Sequence, residues 1–158
     1  MRKLMMLAVA AMALVFAPLA HANDRAVVEA FYSQLLSDPN AEDLAKRVEK
    51  VVVKDWESNP TPRGGKGAEG LTKTLKFFGS VIPDLKWDIQ EILQEDNRYV
   101  VRSIAMGTPK GKFFGVEPKA GFKIMTIDIH EVNNGKITRS YHVEDWARAI
   151  RQVSGKVH

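Results

Sequence analysis

The apolar residues in the first half of the chain recur with a helical period. A first helix is predicted to begin near Asp24, a residue type suited to an N-cap, and to end at Ser37-Asp38-Pro39-Asn40. A second helix is predicted from about residue 41, and a third over residues 68–81. The predicted inward stripes are Val27, Val28, Phe31, Leu35 and Leu36, then Leu44 and Val48, then Leu71, Leu75 and Phe78.

From Leu85 onward the apolar period changes to two. The alternation after Leu85 and a second run over residues 98–108 predict two neighbouring antiparallel strands. Pro and Gly punctuate residues 56–65 and 109–121, which are predicted to be loops. Helices followed by antiparallel strands are typical of an α+β fold. We expect a cone-like curved antiparallel sheet packed on three N-terminal helices, with a short C-terminal helix and a cavity between the layers.

The stretch from residue 121 to 148 is predicted to contain a long β-hairpin. Asn134-Gly135 suits the two positive-φ positions of a type I′ turn. With that two-residue loop, the predicted cross-strand pairs are Val132 with Ile137, His130 with Arg139, Asp128 with Tyr141, and Thr126 with Val143. Because side chains alternate between faces, this register gathers four polar candidates on one face. They are Asp128, His130, Tyr141 and, if the strand continues, Asp145.

These residue types favour acid–base chemistry without a cofactor. A carboxyl group in an apolar cavity has its charged form disfavoured, so its pKa rises toward the working range of an enzyme. Asp145, where the last strand meets the last helix, and His130 are the predicted catalytic residues. Three structural interpretations stand beside this one: Asp145 as a helix cap, His130 in a polar pair with Arg139, and Asp128 hydrogen-bonded to Tyr141. Trp56, Phe78 and Trp87 are the predicted apolar lining.

The beginning of the chain resembles an export signal. Arg2 and Lys3 precede an apolar run from Leu4 to Leu19, and Ala20-His21-Ala22 provides the small residues that signal peptidase requires. The run is short for a membrane-spanning helix, so cleavage is favoured over a retained anchor. We expect a signal peptide over 1–22, one domain over 23–158, and a periplasmic or secreted product without a stable membrane anchor.

Charge and cysteine content narrow the function classes. The formal net charge is +4, of which Arg2 and Lys3 would leave with the signal, and the remaining charges alternate in sign, so nucleic-acid binding is not expected. The absence of Cys excludes disulfides, thiolate nucleophiles and Cys-ligated metals. Residues 63–67 lack the spacing of a phosphate-binding loop and are interpreted as a flexible loop. His130 and His142 fall on opposite faces in the predicted register, so neither a metal nor a cofactor is expected.

A series of short motifs resembles the SnoaL-like polyketide cyclase or ester cyclase family of the nuclear transport factor 2-like superfamily. The resemblance covers essentially the whole chain after residue 22, and the order and spacing of the motifs carry it. The motifs are Ala26-Val27-Val28-Glu29-Ala30-Phe31-Tyr32, Asp55-Trp56-Glu57-Ser58-Asn59-Pro60, Gly67-Ala68-Glu69-Gly70-Leu71, Ile82-Pro83-Asp84-Leu85, Asn97-Arg98-Tyr99-Val100-Val101-Arg102, Gly107-Thr108-Pro109-Lys110-Gly111, Phe114-Gly115-Val116-Glu117-Pro118, Ile127-Asp128-Ile129-His130, Asn134-Gly135-Lys136-Ile137, and Tyr141 with Asp145.

The resemblance implies a cone-like α+β fold, frequently dimeric, with a hydrophobic pocket. It also implies that the acid matching Asp145 acts as general acid/base in a cofactor-free aldol ring closure, assisted by His130. The chain departs from the family at Ser58 and Pro109, where many members carry histidine.

We therefore expect an exported, homodimeric enzyme of cyclase or isomerase type that acts on a small apolar carbonyl or aromatic compound. The alternative is a non-catalytic periplasmic protein that binds a lipid-like or aromatic ligand in the same pocket. A third possibility is a dimeric interaction module, which is favoured if Trp56, Phe78 and Trp87 fill the pocket.

Overall fold

The computed structural model of the chain describes residues 18–156, with side chains from residue 24 onward. Residues 1–17 of the predicted signal peptide lie outside the described part. The elements are α1 (Pro18–Ala30), which continues as a π-helical segment (Phe31–Leu36), then α2 (Leu44–Val51), β1 (Val52–Asn59), α3 (Gly67–Val81), β2 (Lys86–Glu95), β3 (Arg98–Gly107), β4 (Phe122–Asn133), β5 (Lys136–Glu144) and α4 (Trp146–Val153). None of the helices within residues 18–156 has the length and apolarity needed to cross a membrane.

The architecture is the expected α+β cone, with the helices packed on the inner face of one curved sheet. The strand order is β1-β5-β4-β3-β2. Apolar side chains from both layers form a single core, among them Leu35, Val48, Leu75, Ile82 and Val101, each at most 2% exposed. Burial of these side chains stabilises the fold, and the sheet supplies the floor of a cavity under the helices.

β1 departs from the sequence-based expectation. Residues 56–59 were predicted to be loop, but they form the second half of β1, which pairs in parallel with β5. Trp56 points inward from this strand and is 3% exposed. The prediction was wrong because Pro and Gly begin to break the chain only at Pro60, and pairing with a distant strand outweighs local composition.

The hairpin between β4 and β5 is confirmed, but most of its predicted register is wrong. Asn134 (φ 52°) and Gly135 (φ 70°) form the turn, and Val132 pairs with Ile137 as expected. The register then shifts between Glu131 and Val132, because Thr138 is an extra residue on β5. Beyond this bulge the pairs are Glu131 with Arg139, His130 with Ser140, Asp128 with His142, and Thr126 with Glu144. A shift of one residue moves every later side chain of β5 to the opposite face.

Candidate functional site

A cavity of about 270 Å³ lies between the helices and the inner face of the sheet. Its wall is mainly apolar, and all three tryptophans of the chain contribute to it. The apolar lining comprises Phe31, Leu36, Trp56, Leu71, Leu75, Phe78, Leu85, Trp87 and Trp146. Five polar side chains converge on it from β4 and β5: Asp128, His130, Ser140, His142 and Glu144. A mainly apolar concave site with a few polar groups is typical of a small-molecule site.

A buried chain of hydrogen bonds crosses the floor of this cavity. Tyr32, from the π-helical segment, places its hydroxyl 2.8 Å from Asp128 Oδ2 and 3.0 Å from His130 Nε2. His130 Nδ1 lies 2.8 Å from Ser140 Oγ, which also accepts from Trp56 Nε1 at 3.1 Å. Tyr32 donates its one hydroxyl hydrogen to Asp128, so His130 donates to Tyr32 from Nε2. A neutral ring then accepts at Nδ1 from Ser140, which itself accepts from the Trp56 indole. Donation then runs from Trp56 through Ser140, His130 and Tyr32 to Asp128.

Burial shifts the pKa values of three groups in this hydrogen-bonded chain. His130 is fully buried, and desolvation together with the positive charge of His142 lowers its pKa to about 3, so the ring is neutral. Desolvation raises the pKa of Asp128 to about 7; Glu144 adds to the rise, and the Tyr32 hydrogen bond opposes it. Burial, followed by the charge of Asp128, also holds the pKa of Tyr32 well above its usual value. Asp128 is therefore the one group of the three that exchanges a proton near neutral pH.

His142 and Glu144 form a second pair beside Asp128. His142 Nδ1 lies 2.8 Å from Glu144 Oε1, and His142 Nε2 lies 3.1 Å from the carbonyl of Pro60. A carbonyl and a carboxylate can only accept, so this geometry favours a ring with a hydrogen on both nitrogens, the imidazolium form. Burial lowers the pKa of His142, but the hydrogen bond and charge of Glu144, with Pro60 and Asp128, raise it on balance. Trp146 Nε1 holds the other oxygen of Glu144 at 3.2 Å.

Asp128, His142 and Glu144 meet at one point of the cavity wall. Each side chain provides one atom that could ligate a metal, and these three atoms lie within 4.8 Å of one another. These ligand types could also hold a cation, although His142 would have to give up a present hydrogen bond. The sequence-based argument against a metal site assumed that His130 and His142 lie on opposite faces of the sheet. That assumption is wrong, because both side chains lie on the inner face.

The predicted site residues fall into two groups. Asp128, His130, Trp56, Phe78 and Trp87 all line the cavity. The three apolar side chains among them leave the space open rather than filling it.

Tyr141 and Asp145 lie elsewhere. Tyr141 pairs with Ile129 and lies on the outer face of the sheet, because the bulge reverses the orientation of β5. Asp145 is exposed, and its Oδ1 accepts a hydrogen bond from the Arg148 amide at 3.0 Å. It therefore caps α4, the structural interpretation given above.

Sequence reasoning missed Tyr32, His142 and Glu144. Tyr32 lies among the apolar positions of its helix, and a tyrosine placed there carries a hydroxyl that requires a buried partner. His142 and Glu144 were assigned to the opposite face, and only knowledge of the bulge would have corrected that.

The fold and this cavity define a cone-shaped α+β protein with titratable side chains on the inner face of its sheet. Residues 26–153 match the SnoaL-like polyketide cyclase family, and the chain belongs to that family. No curated protein is significantly similar to the chain in sequence.

Solved structures share the nuclear transport factor 2-like cone. TsrD from Streptomyces laurentii superposes with a TM-score of 0.73 at 18% identity, over 88% of this chain and 99% of its own. IdmH from Streptomyces antibioticus gives a TM-score of 0.69 at 20% identity, over 82% and 96% of the two chains. A phenazine biosynthesis-related protein from Pseudomonas aeruginosa gives 0.65 at 18% identity, over 94% and 90%. At these identities the likeness concerns the fold alone.

Proposed function

We propose that the chain is a cofactor-free acid–base enzyme of cyclase or isomerase type that acts on a small apolar carbonyl compound. The observation that carries this is the pairing of Asp128 with His142 on adjacent strands. A carboxyl group with a pKa of about 7 lies beside an imidazolium at the wall of an apolar cavity. Titratable groups with opposite tasks and shifted pKa values are typical of acid–base active sites.

The geometry supports a ring closure in which each proton taken up by a side chain is later released. The Asp128 carboxylate removes a proton from the carbon next to a carbonyl group, and the resulting enolate carbon attacks a second carbonyl group of the same molecule. His142 donates its proton to the oxygen of that carbonyl as the new carbon–carbon bond forms. Asp128 then returns its proton to His142 through one bridging water molecule, since a carboxylate oxygen of Asp128 and a ring nitrogen of His142 lie within 4.8 Å of each other. The product is an isomer of the substrate, and no oxidant or cofactor takes part.

The remaining polar residues have supporting roles in this proposal. Glu144 holds His142 in its protonated form, and Tyr32 holds Asp128 in place. His130, predicted as catalytic, is a neutral positioning residue that orients the Tyr32 hydroxyl. The general acid/base role that the resemblance implies for Asp145 is divided in this proposal between Asp128, the base, and His142, the acid.

The test is exchange of carbon-bound hydrogen in deuterated water, measured by mass spectrometry on a panel of apolar 1,5- and 1,6-dicarbonyl compounds, which can close to six- and five-membered rings and whose spontaneous exchange is slow and is subtracted. We expect wild type to label one of them, and Asp128→Asn to lose about 10²- to 10⁴-fold in rate, the usual contribution of a general base. Asp145→Asn is the matched control: it changes an exposed acid of the same type and should keep the rate within about tenfold.

Two results would contradict the proposal. Labelling that survives Asp128→Asn would remove Asp128 as the base, and labelling that is lost only in Asp145→Asn would return the role to the residue that the resemblance implies. Both variants should retain cooperative unfolding, so that a lost activity is not a lost fold.

A non-catalytic binding function is the second candidate. It is favoured by the tryptophan-rich wall, which suits an aromatic or lipid-like ligand whether or not a reaction follows. Mass spectrometry of the native protein, purified without denaturant, distinguishes the two: a stoichiometric retained ligand together with no labelling of any dicarbonyl favours binding alone.

We also propose that the protein is exported and acts as a homodimer. Export rests on the signal-like N-terminal stretch. Dimerisation is supported by apolar side chains on the outer face of the sheet, where Met125 is 50% exposed and Val143 is 64% exposed.

A further inference from the structure

The loop between β1 and α3 is held rigidly, although its composition predicted flexibility. The amide of Gly65 donates to the carbonyl of Pro62 at 2.9 Å, so Arg63 and Gly64 form the centre of a tight turn. The amide of Gly64 donates to Thr74 Oγ1 on α3 at 2.8 Å. A Cβ atom on Gly64 would lie 2.2 Å from the carbonyl oxygen of Gly70, so only glycine permits this approach. The turn therefore presents Arg63 from a fixed backbone.

The side chain of Arg63 lies where two cavities meet. It lines the mouth of the catalytic cavity, and it also lines a neighbouring cavity of about 390 Å³. Its guanidinium carbon lies 4.3 Å from the ring centroid of Phe77, a cation–π contact that holds the group over an aromatic surface. The neighbouring cavity is otherwise formed by Phe77, Phe78, Val81, Lys112, Phe113, Phe114 and Gly115.

Arg63 has no acidic partner among residues 24–156. The arginines at 25, 47, 98, 102 and 139 each form an ion pair with a carboxylate. Arg63, Arg148 and Arg151 form none within the described residues, and of these three only Arg63 lines the cavity, in contact with the Phe77 ring. A guanidinium offers a planar pair of donors that fits a carboxylate in two parallel hydrogen bonds. The donors of Arg63 are thus available to a ligand at the cavity mouth.

The charges of the cavity give an anionic ligand one orientation. On the sheet wall the charge of His142 is already paired with Glu144, and Asp128 lies beside them, so a ligand carboxylate is disfavoured there, while Arg63 at the mouth attracts one. We propose that the substrate is a keto acid: an apolar or aromatic carbonyl compound whose carboxylate binds Arg63 while its carbonyl end reaches Asp128 and His142. The location of the reacting end rests on the proposed function, whereas the preference for an anion is a property of binding alone.

The test compares one ligand with and without its charge. The probes are 4-oxo-4-phenylbutanoate, an aromatic keto acid, and its uncharged methyl ester. Because all three tryptophans line the cavity, their fluorescence reports occupancy directly. We expect the acid to bind roughly fivefold to tenfold more tightly than the ester at low salt, with the difference shrinking as salt is added, as for a partly exposed ion pair.

Variants assign that preference to one side chain. Arg63→Gln should abolish the preference for the acid and leave ester binding unchanged, and Arg63→Lys should keep part of it. Lys66→Gln is the matched control, since it removes one positive charge from the same loop outside the cavity lining and should leave the preference intact. Equal binding of acid and ester by wild type, or a preference that survives Arg63→Gln, would overturn the proposal.

The same titrations separate this proposal from the catalytic one. Asp128→Asn should retain the preference for the acid even though it abolishes labelling. A preference for the acid in a protein that labels no carbonyl compound would therefore leave the anion site standing and reject the enzyme. Labelling of a carbonyl compound by a protein that shows no preference for the acid would support the enzyme and reject the anion site.

Discussion

In the middle of β4, from Met125 to His130, the two faces of the strand have the reverse of the usual polarity. On the inner face, Thr126, Asp128 and His130 are at most 6% exposed, whereas on the outer face Met125 and Ile127 are 50% and 37% exposed. In most sheets the polar side chains face water and the apolar ones face the core. Because of this inversion the inner face supplies polar groups to the cavity, and the outer face has an exposed apolar surface, which is the interface of the proposed dimer.

The inner face tolerates its polarity because its polar atoms have partners. No buried side-chain nitrogen or oxygen among the described residues lacks a hydrogen bond. Thr126, for example, lies 2.6 Å from Ser103 Oγ and accepts from Trp87 Nε1 at 3.3 Å. Buried polar groups that are fully paired cost little, whereas removing one partner leaves the other unsatisfied. Substitutions on the two faces of the same strands should therefore have unequal effects.

The largest effect is expected from Asp128→Asn, and it depends on pH. The pKa of Asp128 is about 7 in the folded protein and 3.8 as the ordinary value. A raised folded pKa contributes stability that is present below about pH 4 and lost as the pH rises through about 7. Because the asparagine that replaces Asp128 cannot ionise, the unfolding free energy of the variant relative to wild type should rise by a few kcal/mol between about pH 4 and pH 7. Above about pH 7 the difference between the two proteins should stay constant.

Urea unfolding of wild type and Asp128→Asn over that pH range measures the difference. His130 titrates in both proteins, so its opposing contribution cancels. A difference in unfolding free energy that is independent of pH would contradict the assigned pKa.

The next effect compares two tyrosines, one from each face. Tyr32→Phe removes the hydroxyl that joins Asp128 to His130, so it should cost about 1–3 kcal/mol of unfolding free energy. It should also raise the pKa of Asp128 further, because the lost hydrogen bond lowers it. Tyr141→Phe, on the outer face, is the control and should cost less than about 0.5 kcal/mol. Equal costs from chemical denaturation would remove the distinction between the faces.

The smallest effect on the protomer is expected from Val143→Lys on the outer face. Val143 is 64% exposed, so the substitution should change the unfolding free energy of the protomer by less than about 0.5 kcal/mol. It should nevertheless abolish the proposed dimer in sedimentation velocity, because it places a charge within the apolar surface. Ala147→Lys, an exposed change on α4, should leave the assembly intact. A dimer that persists in Val143→Lys uses another surface.

Much of the fold was predictable because its signals are local. The helical stripes and the Asn134-Gly135 turn depend on neighbouring residues, and the structure confirms both. β1 was not predictable in full, since it is stabilised by pairing with β5, a strand far away in the sequence. The rigid turn at Arg63 depends in the same way on contacts with α3.

The site residues on β4 were predictable from the sequence, whereas those on β5 were not, because a bulge changes the register of β5. β4 was placed correctly, so Asp128 and His130 were assigned to the inner face. The bulge at Thr138 is not marked by a glycine or proline at that position. Because it was not foreseen, the residues of β5 that follow it were assigned to the wrong faces of the sheet. Tyr141 was therefore expected in the cavity, while His142 and Glu144, which do line it, were placed outside.

The inner face is expected to hold an acid, Asp128, that exchanges a proton near neutral pH. Carbon-13 NMR of protein labelled at the aspartate carboxyl groups measures this directly, with the Asp128 signal assigned by its absence in Asp128→Asn. We predict a titration midpoint of about 7. A midpoint near the ordinary aspartate value of 3.8 would show that the carboxyl group is charged throughout and would contradict the account.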